Sequence, residues 1–189
     1  DPEVAKEKIV VVGGIIIKEG IQGNFHLQHL TLRQAEEHGV FGESSFTMDD
    51  VIVEQCGWYG VVVTETGVVG RCTNVEVRQC GQSGVVAMLG ASMTLIGAKT
   101  TVHHNCTDGD SDEYGLKVDG LDGWGSSSST IQLVSPLAKE QVSIDNGGGG
   151  NWGAEEEGDI NQIKTMAEAE IATAQQKVEV DDYMYHRWY

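Results

Sequence analysis

The chain contains few of the residues that restrict a backbone or attract several common partners. It has 2 prolines among 189 residues, an aromatic content of 6%, and 12 basic against 29 acidic residues, which gives a net charge of −17. A charge of this sign repels phosphate backbones and anionic lipid, so nucleic acid and acidic membrane surfaces are unfavourable partners. No apolar run is long enough to cross a bilayer, and we expect no transmembrane segment.

Cysteine is also sparse, and its pattern excludes one common kind of site. The 4 cysteines form no C-x-x-C pair, which argues against a structural zinc site. They leave the redox compartment open, because Cys56 and Cys80 fit either a buried thiol pair or a disulfide. The chain begins at Asp1 without a basic-then-apolar leader. We therefore expect a processed product or a piece of a longer chain.

What the sequence does contain is a repeat. The segments LTLRQAEEHGVF from Leu30, VIVEQCGWYGVVV from Val51 and VEVRQCGQSGVVA from Val75 align with one another, and VHHNC from Val102 continued by YGLKV from Tyr114 is a looser fourth copy. One glycine position recurs at spacings of 21, 24 and 31 residues, at Gly39, Gly60, Gly84 and Gly115. Periods of about 20–50 residues are typical of stacked repeat architectures.

Each copy contains about three short strand-like runs and no helical segment. Runs such as Leu30–Leu32 and Val75–Val77 alternate apolar and polar residues, and Val51–Val53 is β-branched throughout; both patterns are typical of strands with a buried face. Ankyrin and leucine-rich repeats need about 10 or more helical residues per copy, which this repeat lacks. The sequence therefore predicts an all-β solenoid, a right-handed parallel β-helix over residues 1–145.

The alignment also places similar residues in columns, which stacked coils about 4.8 Å apart would bring into contact. Amides in such a column can hydrogen-bond along the stack, and we predict this for Gln34, Gln55, Gln79 and, after a one-residue slip, Asn105. The next column has small apolar residues, namely Ala35, Cys56, Cys80 and Cys106. A third column alternates in charge and so avoids repulsion between neighbours: Arg33, Glu54 and Arg78.

Residues 146–189 have a different composition and are predicted as a separate unit. A glycine-rich linker follows Asn146, and Asp159 is a plausible N-cap for a short C-terminal helix over Ile160–Val178, which would cap or tether the coils. The chain then ends in an aromatic tail. Its predicted partner-binding residues are Tyr183, Tyr185, Trp188 and Tyr189.

An acidic insertion between the fourth repeat's two halves is the one candidate metal site. Asp108, Asp110 and Asp112 alternate as the first half of a calcium loop does. Glu113 stands where an EF-hand requires glycine, and the twelfth position is Asp119 instead of glutamate. The two interpretations are a solvated acidic loop and a weak calcium site completed by Asp119 or Asp122. We therefore expect no cofactor, and the weak calcium site is the one exception that the pattern allows.

Four longer motifs carry a resemblance to known proteins. They are CGWYGVVV (56–63), TNVEVRQCGQSGVV (73–86), TVHHNCTDGDSDEYGLKV (101–118) and VSPLAKEQVSIDNGGGGNWG (134–153). With these, the chain from Ile9 to Lys164 resembles right-handed β-helix proteins of the pectate-lyase-like superfamily. More narrowly, it is similar to uncharacterised β-helix proteins of microalgae and their large DNA viruses. The resemblance implies the fold but no reaction, because fold alone does not carry an activity.

Two functions remain after these observations. No catalytic set converges, since Asp49 and Asp50 would need carboxylates at the equivalent Thr73 and Asn74. We therefore favour a non-catalytic structural or protein-interaction module, a subunit of a larger assembly that contacts other protein subunits through its coil ends or aromatic tail. The alternative is a polysaccharide-binding or polysaccharide-cleaving protein, with an acidic groove near residues 108–122 and a stacking platform of Trp58, Tyr59 and Trp124.

Overall fold

The computed structural model describes residues 9–21, 23–120, 129–155 and 159–167. These residues form short strands and very little helix, so the prediction of an all-β chain is confirmed. In chain order the strands are β1 (Val10–Val12), β2 (Ile15–Ile17), β3 (Phe25–Arg33), β4 (Val40–Gly42), β5 (Phe46–Glu54), β6 (Val61–Val63), β7 (Val69–Thr73), β8 (Glu76–Arg78), β9 (Val85–Ala87), β10 (Ser92–Ile96), β11 (Thr101–His103), β12 (Tyr114–Asp119), β13 (Thr130–Val134), β14 (Ser143–Ile144), β15 (Gly150–Glu155) and β16 (Ile163–Met166). The helix α1 (Lys139–Val142) precedes β14, and one 3₁₀ turn (Ile160–Gln162) precedes β16.

The strands form two parallel sheets, as the repeat predicts. Sheet B has six strands in the order β15-β12-β9-β6-β4-β2. Sheet A has ten, with the path β14-β11-β8-β5-β7-β10-β13-β16, to which β3 and β1 are attached through β5. The strand β5 can lie in the middle because it bends: Phe46–Asp49 pairs with β7, and Ile52–Glu54 pairs with β8.

The chain passes between these sheets in a fixed order, from sheet A to sheet B and back to sheet A, and we call one such passage a coil. The described residues contain six coils. The first coil consists of β1, β2 and the Phe25–Gln28 half of β3, and the last consists of β14, β15 and β16. Each strand pairs with the equivalent strand of the next coil, so residues far apart in sequence stack in columns. Val53 pairs with Val77, which confirms the predicted register there.

The core lies between the two sheets and consists of stacked aliphatic columns. One column is fully buried and contains Val40, Val61, Val85 and Leu116. The recurring glycine precedes this column because there is no room for a side chain. A Cβ on Gly60 would lie 2.3 Å from Val77 Cγ1 and 2.5 Å from the carbonyl oxygen of Gly84.

The predicted C-terminal helix is wrong over residues 160–166. Asp159 does act as an N-cap, since its carboxylate accepts a hydrogen bond from the Asn161 amide at 2.9 Å. However, the turn ends after three residues, and Ile163–Met166 becomes a strand that pairs with β13. Pairing satisfies the backbone and buries Ile163, a gain that an isolated helix of this length does not offer.

Parallel pairing also continues past residue 145, where we predicted the end of the coils. The glycine-rich segment leads directly into Gly150–Glu155, which pairs with β12. From residue 168 onward the predicted helix lies outside the described residues, as do the four predicted partner-binding residues Tyr183, Tyr185, Trp188 and Tyr189. Within the described ranges, no helix combines the length and apolar character that crossing a membrane requires.

Candidate functional site

The outer strands of the first coil, β1 and β2, form an apolar surface that we call the first edge. Among the described residues, β1 pairs only with β3 and β2 only with β4, so no strand covers their other side. Val12 is 70% exposed, Ile16 is 56% exposed and Ile9 is 48% exposed. The positions equivalent to Ile16 in the middle coils are buried, at Val62 and Val86, whereas Val12 lies at the end of the column of Arg33, Glu54 and Arg78. The first edge therefore resembles an interior layer without its neighbour.

The backbone of the first edge is also oriented for pairing. The Ile15 amide donates to the Gly39 carbonyl at 2.9 Å, and the Ile17 carbonyl accepts from the Glu43 amide at 2.8 Å. Both groups point toward the second coil. Because backbone groups alternate along a strand, the N–H and C=O of Ile16 point away from it. A row of such groups is a template for strand addition.

The opposite end, formed by β14, β15 and β16, is called the last edge. Each of these strands pairs on one side only within the described residues. Ile144 is 39% exposed, Trp152 and Met166 are partly buried, and Ile163 is buried. The last edge thus mixes apolar side chains with open backbone, as the first edge does.

The charged column is more buried than its charges suggest. Glu54 is 3% exposed and lies between Arg33 and Arg78, which are 41% and 34% exposed. Arg33 donates from Nε, at 2.9 Å, and from Nη2 to Glu54 Oε1. Arg78 donates from Nε, also at 2.9 Å, and from Nη2 to the other oxygen, Oε2. Burial opposes ionisation of Glu54, but the hydrogen bonds from Arg33 and Arg78 outweigh it and lower its pKa. This column links three consecutive coils.

The amide column differs from its prediction at one member. Gln34, Gln55 and Gln79 are exposed and share a left-handed backbone, with φ between 54° and 57°. Gln55 Nε2 donates to Gln79 Oε1 at 3.4 Å. The fourth position belongs to His104 and not to Asn105, because His103 pairs with Arg78.

Asn105 instead occupies the cysteine column, which corrects the assignment of Cys106 to it. The Asn105 carboxamide accepts from the Cys80 amide at 3.1 Å and donates to the Val77 carbonyl at 3.0 Å. Cys106 is an additional residue with φ 60°.

All four cysteines are buried and free. A hydrogen bond with Cys80 lowers the pKa of Cys56, and that bond and burial raise the pKa of Cys80.

A buried polar cluster on the outer side of sheet B was missed by sequence reasoning. Lys117 is 2% exposed, and its ammonium donates to Glu113 at 3.0 Å and also binds Glu155. Glu113 accepts further hydrogen bonds from the Ser83 amide at 3.1 Å and from the Tyr59 hydroxyl at 3.3 Å. Burial opposes the charge on Lys117, but the bonds to Glu155 and Glu113 raise its pKa. The only sign of this cluster in the sequence was that Glu113 stands where the calcium-loop pattern requires glycine.

The same cluster bears on the predicted calcium site. Asp108, Asp110 and Asp112 are exposed in a turn, whereas Glu113 faces inward and already serves Lys117. The Asp110 carboxylate accepts from the Asp112 amide at 3.2 Å, as in an ordinary turn. No group of three or more metal-ligating residues occurs in the described part of the chain. Calcium binding by the three aspartates stays a prediction.

Aromatic rings cluster beside the corner that follows the cysteine column. His38 stacks on Phe41 and on Tyr59, with ring centroids 5.0 and 5.3 Å apart, and meets Trp58 edge-on at 5.3 Å. Trp58 is 46% exposed and Tyr59 is partly buried. Burial and the neighbouring Glu113 raise the pKa of Tyr59 to about 12. Trp124, the third predicted member, lies outside the described residues.

Comparison with known proteins found no relative of this chain. No family model matches the sequence, and no curated protein or solved structure matches it.

Proposed function

We propose that the six coils wind as a right-handed parallel β-helix and that the chain is a non-catalytic structural or protein-interaction module. The two parallel sheets and their fixed A–B–A order support the winding. Connections between parallel strands are right-handed in about 98% of cases, which supports the hand. In this proposal the chain is one subunit of a larger assembly.

The observation that carries the proposal is the first edge. Val12 and Ile16 are more than half exposed, and the adjacent backbone groups point outward in a row. Exposed, unpaired strands with aliphatic side chains pair readily with other chains, and proteins usually cover or charge them. Here the run from Ile9 to Ile17 contains no charged residue, although Lys8 precedes it and Lys18 follows it. A protein strand laid on the first edge would cover this apolar surface, and the aromatic tail would supply a second contact.

Hydrogen exchange tests this proposal. The amides of Val10, Val12 and Ile16 should exchange rapidly in the isolated chain at low protein and salt concentration and slowly in the native assembly purified from its source. The Val62 amide, which lies in the middle of sheet B, is the internal control and should exchange slowly in both samples. Equal, rapid exchange of the three first-edge amides in both samples would refute docking at this surface.

One observation favours the second candidate, a polysaccharide-binding or polysaccharide-cleaving protein. The half-exposed indole of Trp58, with His38 against it, offers a ring face of the kind on which sugars stack. A screen of uronic-acid and sulfated polysaccharides, with and without Ca²⁺, measures binding and turnover. Turnover abolished by changes at Asp108–Asp112 would replace the non-catalytic proposal, and absence of both signals would remove the alternative.

A further inference from the structure

We propose that the occupant of the first edge is the last edge of a second copy of this chain, so that copies stack head to tail. This inference rests on the proposed interaction function and names the partner. It follows from a match between the two edges in strand order, backbone orientation, side-chain columns and charge.

The strand order matches completely. The first coil presents β1, β2 and the Phe25–Gln28 half of β3, and the last coil presents β14, β15 and β16. Through the intervening coils these are equivalent strands: β1 is in register with β14, β2 with β15, and Phe25–Gln28 with β16. A second copy placed one coil spacing beyond the last edge therefore continues all three strands in the parallel direction. Contact between two first edges would instead require antiparallel strands and does not continue this register.

The backbone groups are complementary as well. In the internal pairs, Val40 donates to the Gly60 carbonyl and Val61 donates to the Gly84 carbonyl, each at 2.9 Å. Trp152 occupies the same column in the last coil, so its amide points away from the fifth coil. The outward C=O of Trp152 then faces the outward N–H of Ile16 in the next copy. The pairing would reproduce the internal ladder without changing either backbone.

The side-chain columns also continue across the junction. The register places Val12 of the second copy beside Ile144, and Ile15 beside Trp152. Phe25 would lie beside Ile163. These residues are apolar on both sides of the junction, and Ile15, Phe25 and Trp152 are only partly buried in the single chain. Contact of Ile15 with Trp152 and of Phe25 with Ile163 would extend the existing core by one layer, and contact of Val12 with Ile144 would continue the outer column that contains Glu54.

The charges on the two edges favour the same arrangement. Ala154 and Ile17 share a column, so the next positions, Glu155 and Lys18, would lie side by side. Lys18 is 65% exposed, with its ammonium 3.9 Å from the Glu43 carboxylate of its own chain, and Glu155 is 34% exposed. Glu155 would then lie between Lys117 of its own chain and Lys18 of the next, as Glu54 lies between two arginines. Opposite charges in adjacent strands favour this register.

Head-to-tail contacts do not close on themselves, so the expected product is an open series of copies. The net charge of −17 per chain opposes this series, because each added copy brings a like charge near the others. Salt screens that repulsion. Association should therefore strengthen as ionic strength rises, which is the opposite of an assembly held by salt bridges alone.

Sedimentation velocity of the full chain, over a wide range of protein and salt concentration, measures this directly. We expect a weight-average mass that rises beyond that of a dimer with concentration and with salt. Ile16→Pro should weaken association about tenfold. Proline removes the outward N–H that would pair across the junction and puts its ring in that place. That N–H has no partner in the second coil, so the fold should be kept, and circular dichroism checks this. Ile16→Val keeps the N–H and β-branching and is the matched control.

Cross-linking identifies the register. Carbodiimide treatment of a mixture of ¹⁴N- and ¹⁵N-labelled chains should give a mixed-isotope peptide pair that joins Lys18 of one chain to Glu155 of another. A chain that is monomeric under all conditions would overturn the proposal. A mass that stops at that of a dimer, without cross-linked Lys18–Glu155 peptides between chains, would also overturn it. If the first-edge amides are nevertheless protected in the native assembly, another protein occupies the edge and the proposed function survives. If they are not protected, both proposals fail.

Discussion

Replacing Glu54 with glutamine should show how much the charged column stabilises the fold. Glu54 is 3% exposed and accepts from Nε and Nη2 of each of two arginines, so four charge-assisted hydrogen bonds meet on one carboxylate. The substitution Glu54→Gln removes the negative charge and directs an NH₂ group toward an arginine. Truncating one partner of a fully buried ion pair costs about 3–5 kcal/mol.

The arginines determine where in that range the loss should fall. Arg33 is 41% exposed and Arg78 is 34% exposed, so solvent can compensate them partly when the carboxylate is lost. We therefore expect a decrease in the free energy of unfolding of about 2–3 kcal/mol. For a chain of this length, that corresponds to a decrease in Tm of about 5–10 °C. Urea unfolding followed by circular dichroism measures the first quantity and calorimetry the second.

The matched control is Glu76→Gln, which removes another carboxylate from the same group of charges. Glu76 is 22% exposed and accepts one hydrogen bond from Arg78 Nη1 at 2.7 Å, and His103 Nε2 lies 3.3 Å from the same oxygen. Its loss should cost less than about 1 kcal/mol, as is usual for exposed pairs. If Glu54→Gln and Glu76→Gln destabilise the chain equally, burial does not set the strength of the column and the reasoning is wrong.

Four further outcomes are expected. The pKa of Glu54 is lowered in the folded chain, so its contribution to the free energy of unfolding is complete above the ordinary glutamate pKa and is lost as the pH falls through the folded value. Lowering the pH should therefore destabilise the wild type more than Glu54→Gln. Equal loss of stability with falling pH in both chains would contradict this. Gly60→Ala should cost at least about 2 kcal/mol in urea unfolding, since its Cβ would clash with a backbone oxygen; a neutral effect would mean that the coil spacing adapts. Lys117→Met should cost about 3 kcal/mol by leaving Glu113 buried without its cation, whereas the exposed Lys164→Met should be neutral by the same assay. Burial raises the pKa of Cys72 to about 12, so mass spectrometry should find it unalkylated by iodoacetamide in the native chain at neutral pH and alkylated after unfolding; rapid native labelling would refute its burial.

The sequence predicted the middle coils well because their repeats have nearly equal lengths. In the copies between Leu30 and Ala87, the spacing from the arginine–glutamate column to the recurring glycine and the valine after it is constant. These three columns therefore align without an insertion. The error begins at Cys106, where one extra residue enters the bend with a left-handed φ of 60°. An alignment that follows the cysteines is therefore shifted by one position, and Asn105 is assigned to the wrong column.

Two other features depend on neighbours that a local pattern does not show. The alternation in Tyr114–Asp119 places Lys117 on the outer side of sheet B, but its burial depends on Glu113, Glu155 and Tyr59, which come from different coils. The apolar spacing of residues 160–166 fits both a helix and a strand. Pairing with β13 decides between them, and that pairing is a property of the whole stack.

The coil arrangement described above has a consequence for how such a chain can change in length. Strand pairing joins each coil to the next. In the proposed β-helix, stability is approximately a sum of terms for individual coils and their interfaces. Duplication or deletion of one whole repeat in the middle would lengthen or shorten the described stack by about 4.8 Å and leave the first edge and the last edge intact. The distance between the two ends is therefore a quantity that gene duplication can adjust independently of what those ends recognise.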